Sequence, residues 1–258
     1  MVLSMTRNDL LYSIVLCEEL EKGVSNSAYY GPCKEIIHVQ DQDFEEFQGP
    51  EPWNGHIDTA PLLFIGPNPS ISQTERYPDR NWGKNDIKGF FEDRFDGNWS
   101  WKFKCLQKDG SYPSQPVRFW VSVRARTAEL FGKDKDQIIP GLDFALTEVV
   151  HCKSRNSIGV KAALEFCSNK FLYEVLSQSV ARVVLLMGDE AAKGFRKVFH
   201  KELLGHEVKR MIGPIDIFGR KRYIVFLPHP NQKGKLKTLE KNLSPKLFKE
   251  LKDWFCNE

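Results

Sequence analysis

The chain has 258 residues, 41% of them hydrophobic and 28% charged, enough apolar material for a sizeable core. A formal net charge of +3 does not by itself mark a nucleic-acid or membrane binder, and no apolar run reaches the roughly 18 residues a spanning helix requires. The N-terminus lacks the basic region, apolar stretch and cleavage site of a secretory leader, and the six cysteines are too scattered for a disulfide framework, so the expectation is a cytoplasmic protein with reduced thiols or a metal site.

Residues 1–60 begin with a predicted helix from Asp9 to Lys22 and pass through Gly31-Pro32, Gly49-Pro50 and Pro52, an N-terminal cap on a single domain covering 1–258. The run Leu62-Leu63-Phe64-Ile65, closed off by Pro61 and Gly66-Pro67, suits a strand buried on both faces. Similar runs recur at Ala145–Val150, Val183–Met187 and Tyr223–Leu227. Helical patterns separate them: Phe119–Phe131, Val160–Val180 with Leu164, Cys167, Phe171 and Val175 on one stripe, and Glu190–Phe199. A last helix is expected over Ser244–Phe255, with Ser244 as N-cap and Pro245 in its first position. Strands alternating with helices predict an α/β fold in three layers, a central and mainly parallel four-stranded sheet covered on both faces, with ligands beyond the carboxyl ends of the strands.

Two loops follow strands at those ends. Gly66-Pro67-Asn68-Pro69-Ser70 comes after the first apolar run and Pro228-His229-Pro230-Asn231 after the last. Each is compatible with a plain turn, since Gly, Pro, Asn and Ser dominate turns. Prolines on either side of Asn68 and His229 restrict their backbones, as a preorganised site requires.

Strand–Gly-x-Asn-Pro-[Gly/Ser] resembles the first motif of the mismatch-specific and single-strand-selective branches of the uracil-DNA glycosylase superfamily, and His229-Pro230-Asn231 resembles their second motif, His-Pro-Ser. Thr147 to Cys152 and Val183 to Ala192 resemble two further landmarks, a base-reading strand and a Leu-Gly-x-x-Ala strand-to-helix turn, so the likeness runs in order over about residues 60–240. It implies a DNA glycosylase of base-excision repair that flips a damaged base, uracil or another deaminated base, out of the duplex and hydrolyses its N-glycosidic bond. Asn68 would position the water and His229 would donate a hydrogen bond to the base oxygen, chemistry that requires no cofactor. Gly66 and Pro67 would line the base pocket, with Phe90 or Phe91, from the aromatic stretch Tyr77–Phe95, as its floor; the alternative for these two is core.

Ser70 and Asn231 would meet the DNA backbone by the same likeness. Lys233, Lys235 and Lys237 could grip phosphates while Leu236 wedges into the gap left by the flipped base, or the segment is a solvated lysine loop. The expected partner is DNA, with no membrane and the chain acting as a monomer. Where uracil-specific members carry Asn on the base-reading strand, this chain has Glu148, and a carboxylate accepts hydrogen bonds but donates none. Either the substrate is another base or the alignment is displaced there. A catalytically inactive nucleic-acid-binding relative is the competing reading; a nucleotide-using enzyme is disfavoured by the absence of any Gly-x-Gly-x-x-Gly or P-loop motif.

Some superfamily members carry a [4Fe–4S] cluster. By that likeness Cys152 and Cys167 match one pair of its ligands, and Cys17 and Cys33, more widely spaced than the family's Cys-x-x-Cys, would complete the set. Zinc at the same sulfurs is a variant, and ordinary buried thiols are the alternative.

Overall fold

The apolar runs have no polar face to turn towards water, so they must lie in a sheet covered on both sides. The computed structural model describes residues 5–26, 28–40, 47–95, 100–101, 103–206, 210–232 and 238–257. Helices α1 (Arg7–Val15), α2 (Glu18–Ser25) and α3 (Lys34–Val39) precede β1 (Trp53–Asn54) and β2 (Leu62–Gly66). Next come α4 (Lys84–Glu92), the small ribbon β3 (Ser100–Trp101) and β4 (Lys104–Cys105), α5 (Arg118–Phe131) and β5 (Ala145–Glu148). The remainder is α6 (Val160–Cys167), α7 (Tyr173–Gln178), β6 (Val183–Met187), α8 (Asp189–Val198), β7 (Met211–Ile217), β8 (Arg220–Leu227), α9 (Leu239–Asn242) and α10 (Pro245–Asn257).

The main sheet has the order β1-β5-β2-β6-β8-β7. Its four central strands are mutually parallel and are the four read from the sequence. Among the described residues this sheet has six strands rather than four, because β1 and β7 add antiparallel edges. A two-residue strand carries no readable period, and β7 contains Pro214, which has no N–H for a ladder and belongs at an edge. Its register shifts between Ile212 and Ile215, around that proline.

Alternate residues of each central strand enter opposite cores. Leu63, Ile65, Val184 and Leu186 pack with α1–α4 and α6–α8, whereas Leu62, Phe64, Leu185 and Val225 pack with α5, α9 and α10. The chain winds from β2 to β5 in one direction and from β6 to β8 in the other, so the loops after these strands diverge around a crevice, where α/β sheets bind ligands.

Two predicted helices are interrupted. Asp9–Lys22 divides at Leu16-Cys17, where Cys17 turns extended (φ −58°, ψ 124°) and becomes the N-cap of α2. Val160–Val180 passes through a π-helical turn, Ser168–Leu172, directly after Cys167, where the Ser168 hydroxyl donates to the Leu164 carbonyl at 2.6 Å. Ser244 does cap the last helix, accepting from the Leu247 N–H at 3.3 Å. Among the described residues no helix is long and apolar enough to cross a membrane.

Phe64 is fully buried and meets Phe144 edge-on at 5.9 Å. Phe64→Ala is expected to lower the unfolding free energy by about 3–5 kcal/mol, read from the denaturant midpoint at unchanged slope.

Candidate functional site

The first loop is shaped by what β2 lacks. Gly66 pairs with Glu148 in the parallel ladder, and a Cβ at position 66 would stand 2.1 Å from Glu148 Oε2. Glycine is what lets the Glu148 carboxyl lie across the strand end. The backbone leaving β5 then pins the loop: Val149, Val150 and Ser154 donate their N–H groups to the carbonyls of Gly66, Pro67 and Pro69 at 3.0, 3.1 and 3.0 Å. Asn68 is fixed within it, its Nδ2 donating to the Pro69 carbonyl at 2.9 Å and its Oδ1 accepting from the Ser157 hydroxyl at 3.1 Å.

The second loop depends on Gly188 at the end of β6. Its φ of +101° disfavours other residues, its N–H donates to the Leu227 carbonyl at 2.8 Å, and a Cβ would approach that of His229 to 3.3 Å. His229 Nδ1 accepts the Asn231 N–H at 3.2 Å, which puts the proton of a neutral ring on Nε2. Burial first, and then the Arg126 charge, hold its pKa below the ordinary value, with Glu190 opposing.

The loops enclose a cavity of about 540 Å³. That falls within the roughly 300–1,000 Å³ common to small-ligand sites. Asn68 and His229 both line it, together with Pro67, Ser70, Glu148 and Asn231. Phe90 and Phe91 do not. They lie in the core under α4, edge-on to Tyr77 at 5.1 and 5.7 Å, because α4 turns its apolar stripe inwards. The aromatic wall comes instead from Phe119 and Trp120 at the start of α5, and the Phe119 ring sits 5.7 Å from that of His229, tilted by 33°. Lys233, Lys235, Leu236 and Lys237 lie outside the described residues.

One side of the cavity is a buried ionic network that has no sequence motif, since its members come from four separate segments. Arg94 donates to Glu51 Oε2 at 2.7 Å, to Asn54 Oδ1 at 3.0 Å and to Glu75, while Lys153 Nζ lies 2.8 Å from the other oxygen of Glu75. Tyr77 donates to Glu51 at 2.9 Å. Burial alone would raise the Glu75 pKa, but Lys153 and Arg94 outweigh it and hold the carboxyl at about 2. Glu148 behaves oppositely: burial and the neighbouring Glu51 charge push its pKa well above the carboxylate range.

Cys17, Cys33, Cys152 and Cys167 are all buried and feel one another's charge. Cys33 and Cys152 share a hydrogen bond that lowers the Cys33 pKa and raises that of Cys152. Backbone donors point at the other two sulfurs: Glu19 and Leu20 at Cys17 from the start of α2, and the His151 N–H at Cys167, 3.4 Å away. Lys170 Nζ is 3.9 Å from the Cys17 sulfur. Among the described residues no group of three or more His, Cys, Asp or Glu side chains is gathered as for a metal ion. A cluster binds each cysteine through a different iron and takes a wider set of sulfurs. The buried thiols, with N–H groups and a lysine directed at Cys17 and Cys167, are donors of the type that group takes, and Cys33 and Cys152 would have to part to reach separate irons.

Because the folded-state pKa of Glu75 is depressed, its stabilisation is present above the ordinary value of 4.5 and is lost as pH falls towards about 2. Glu75→Gln is expected to cost about 3–5 kcal/mol at neutral pH, by leaving Arg94 and Lys153 short of an anion, and to flatten the acid limb of stability against pH. Urea titrations of both proteins from pH 6 to pH 2 check this; parallel curves would exclude it.

No family model and no curated protein matches this chain.

Proposed function

We propose that the chain is a DNA glycosylase of the uracil-DNA glycosylase superfamily, hydrolysing the N-glycosidic bond of a flipped-out damaged base. The observation that carries this reading is that Asn68 and His229, more than 150 residues apart, line one cavity at the carboxyl ends of parallel strands.

The chemistry follows from the groups available. Hydrolysis needs a water near the sugar carbon and a donor for the charge that gathers on the departing base. Asn68, its amide held by Pro69 and Ser157, orients the water. His229 is kept neutral by burial, with Nε2–H directed by the bond to Nδ1, and donates to a base oxygen without carrying a charge of its own. Phe119 and Trp120 give the heterocycle a surface for stacking, and Ser70 and Asn231 at the rim meet the sugar-phosphate backbone.

A second reading, a nucleic-acid-binding relative without catalysis, is favoured by one detail: both ends of the Asn68 amide are already engaged by protein. Base release from single- and double-stranded oligonucleotides containing uracil, hypoxanthine or xanthine separates the two. The wild-type protein is expected to release at least one base, and Asn68→Ala and His229→Ala each to lower kcat about 10²–10³-fold with the fold intact. Salt-dependent binding with no release would favour the second reading.

Cys17, Cys33, Cys152 and Cys167 would hold a [4Fe–4S] cluster, which would tie together four segments of chain and would supply a one-electron centre. Protein purified without oxygen is then expected to be brown and to contain about four irons per chain, falling sharply in Cys152→Ser. Colourless, iron-free wild-type protein would exclude the cluster.

A further inference from the structure

Glu148 closes β5 with a side chain to which no described residue gives a hydrogen bond or an ion pair, and its Oε2 is sealed from solvent. It is only 5% exposed yet lines the cavity. Its surroundings do not suit an anion. Gly66 presents bare backbone, and Glu51 is itself a carboxylate. Arg94 and Lys153, the cations on the same wall, are bound to Glu51 and Glu75. His151, on the loop leaving β5, directs Nδ1 at the Glu51 carbonyl 2.7 Å away, and His229 stands neutral on the opposite loop.

A buried carboxyl without a cation takes up a proton rather than remain charged. The raised pKa of Glu148 agrees with this. The proton has a preferred oxygen. On Oε2 it would be a donor sealed in with no acceptor, and an orphaned donor is tolerated less readily than an orphaned carbonyl oxygen. Oε1 is therefore the hydroxyl, and it is the oxygen left able to meet a ligand.

We propose that Glu148 is a neutral carboxylic acid whose Oε1 hydroxyl donates to a ring carbonyl oxygen of the bound base, so that the cavity accepts oxo-heterocycles and rejects their amino counterparts. This role rests on the glycosylase reading and specifies its substrate class. Uracil differs from cytosine, and hypoxanthine from adenine, by an oxygen in place of an exocyclic amine. Facing an amine, the hydroxyl would set donor against donor, and moving the proton to Oε2 would bury it against Gly66. The acid thus does by protonation what an amide does by its NH₂ group.

Two measurements test this. The infrared difference spectrum of wild-type protein against E148Q at neutral pH is expected to contain the carbonyl stretch of a protonated acid; a carboxylate band alone overturns the proposal. Oligonucleotides paired as uracil against cytosine and hypoxanthine against adenine are then assayed with wild type, E148Q and E148A. Wild type is expected to release the oxo member of a pair, E148A to lose at least about 100-fold in kcat/KM for it, and E148Q, which keeps a donor, to recover most of that loss. The ratio of E148Q to wild-type kcat/KM should rise with alkaline pH as Glu148 ionises, a comparison in which ionisation of the base itself cancels. Wild type releasing oxo and amino bases equally, or E148A matching wild type, overturns the proposal alone. Wild type releasing no base overturns the glycosylase reading and this role with it.

Discussion

Arg94 is a guanidinium removed from water, and a charge in that position persists only if it is surrounded by partners. It finds them in Glu51, ahead of β1, in Glu75, after the first loop, and in Asn54. Glu75 in turn takes Lys153, from the segment that leaves β5. Segments with little regular structure are thereby fixed to the ends of the central strands. The cavity owes one wall to this arrangement, and a wall of mutually satisfied charges is rigid and offers little to an incoming ion.

Outside this network the cavity is lined by uncharged polar side chains such as Ser70, Gln107 and Asn231, together with His229 and Glu148. His229 and Glu148 are kept uncharged by the same cause, burial, acting on groups of opposite type: it lowers the pKa of the imidazole and raises that of the acid. Both then face the cavity as neutral hydrogen-bonding groups. A pocket of this character suits a planar, uncharged heterocycle better than a phosphate or carboxylate. The aromatic pair at the start of α5 points to the same kind of ligand.

The central sheet was legible because β2 and β6 are unbroken apolar runs, β8 contains one at Tyr223–Leu227, and β5 is set among apolar neighbours despite Thr147 and Glu148. The edges were not: β1 is two residues long, and β7 alternates and contains a proline. Asn68 and His229 stood out because prolines flank them at strand ends. The pairing of Arg94 with Glu51 and Glu75 had no local signature, since it joins residues 43 and 19 positions apart through irregular chain. Phe90 and Phe91 follow the first loop closely in sequence, which left pocket floor and core both open for them; they are core, while the aromatics that reach the cavity, Phe119 and Trp120, arrive from a helix further along. The break at Cys17 had no signal because the helical pattern continues through it, and Cys17 is buried where the helix divides.

Gly66 and Glu148 occupy one small volume between two adjacent strands, and this constrains how the pocket can change through descent. Glu148 can be exchanged for something shorter in a single step. A side chain at position 66 would push the Glu148 carboxyl out of its present place, so a change at either position alters what the other can hold. Homologues should therefore divide into those with glycine at 66 and a long residue at 148 and those with a bulkier 66 and a trimmed 148, with few intermediates. Any drift in what the cavity accepts would have to pass through that paired gate.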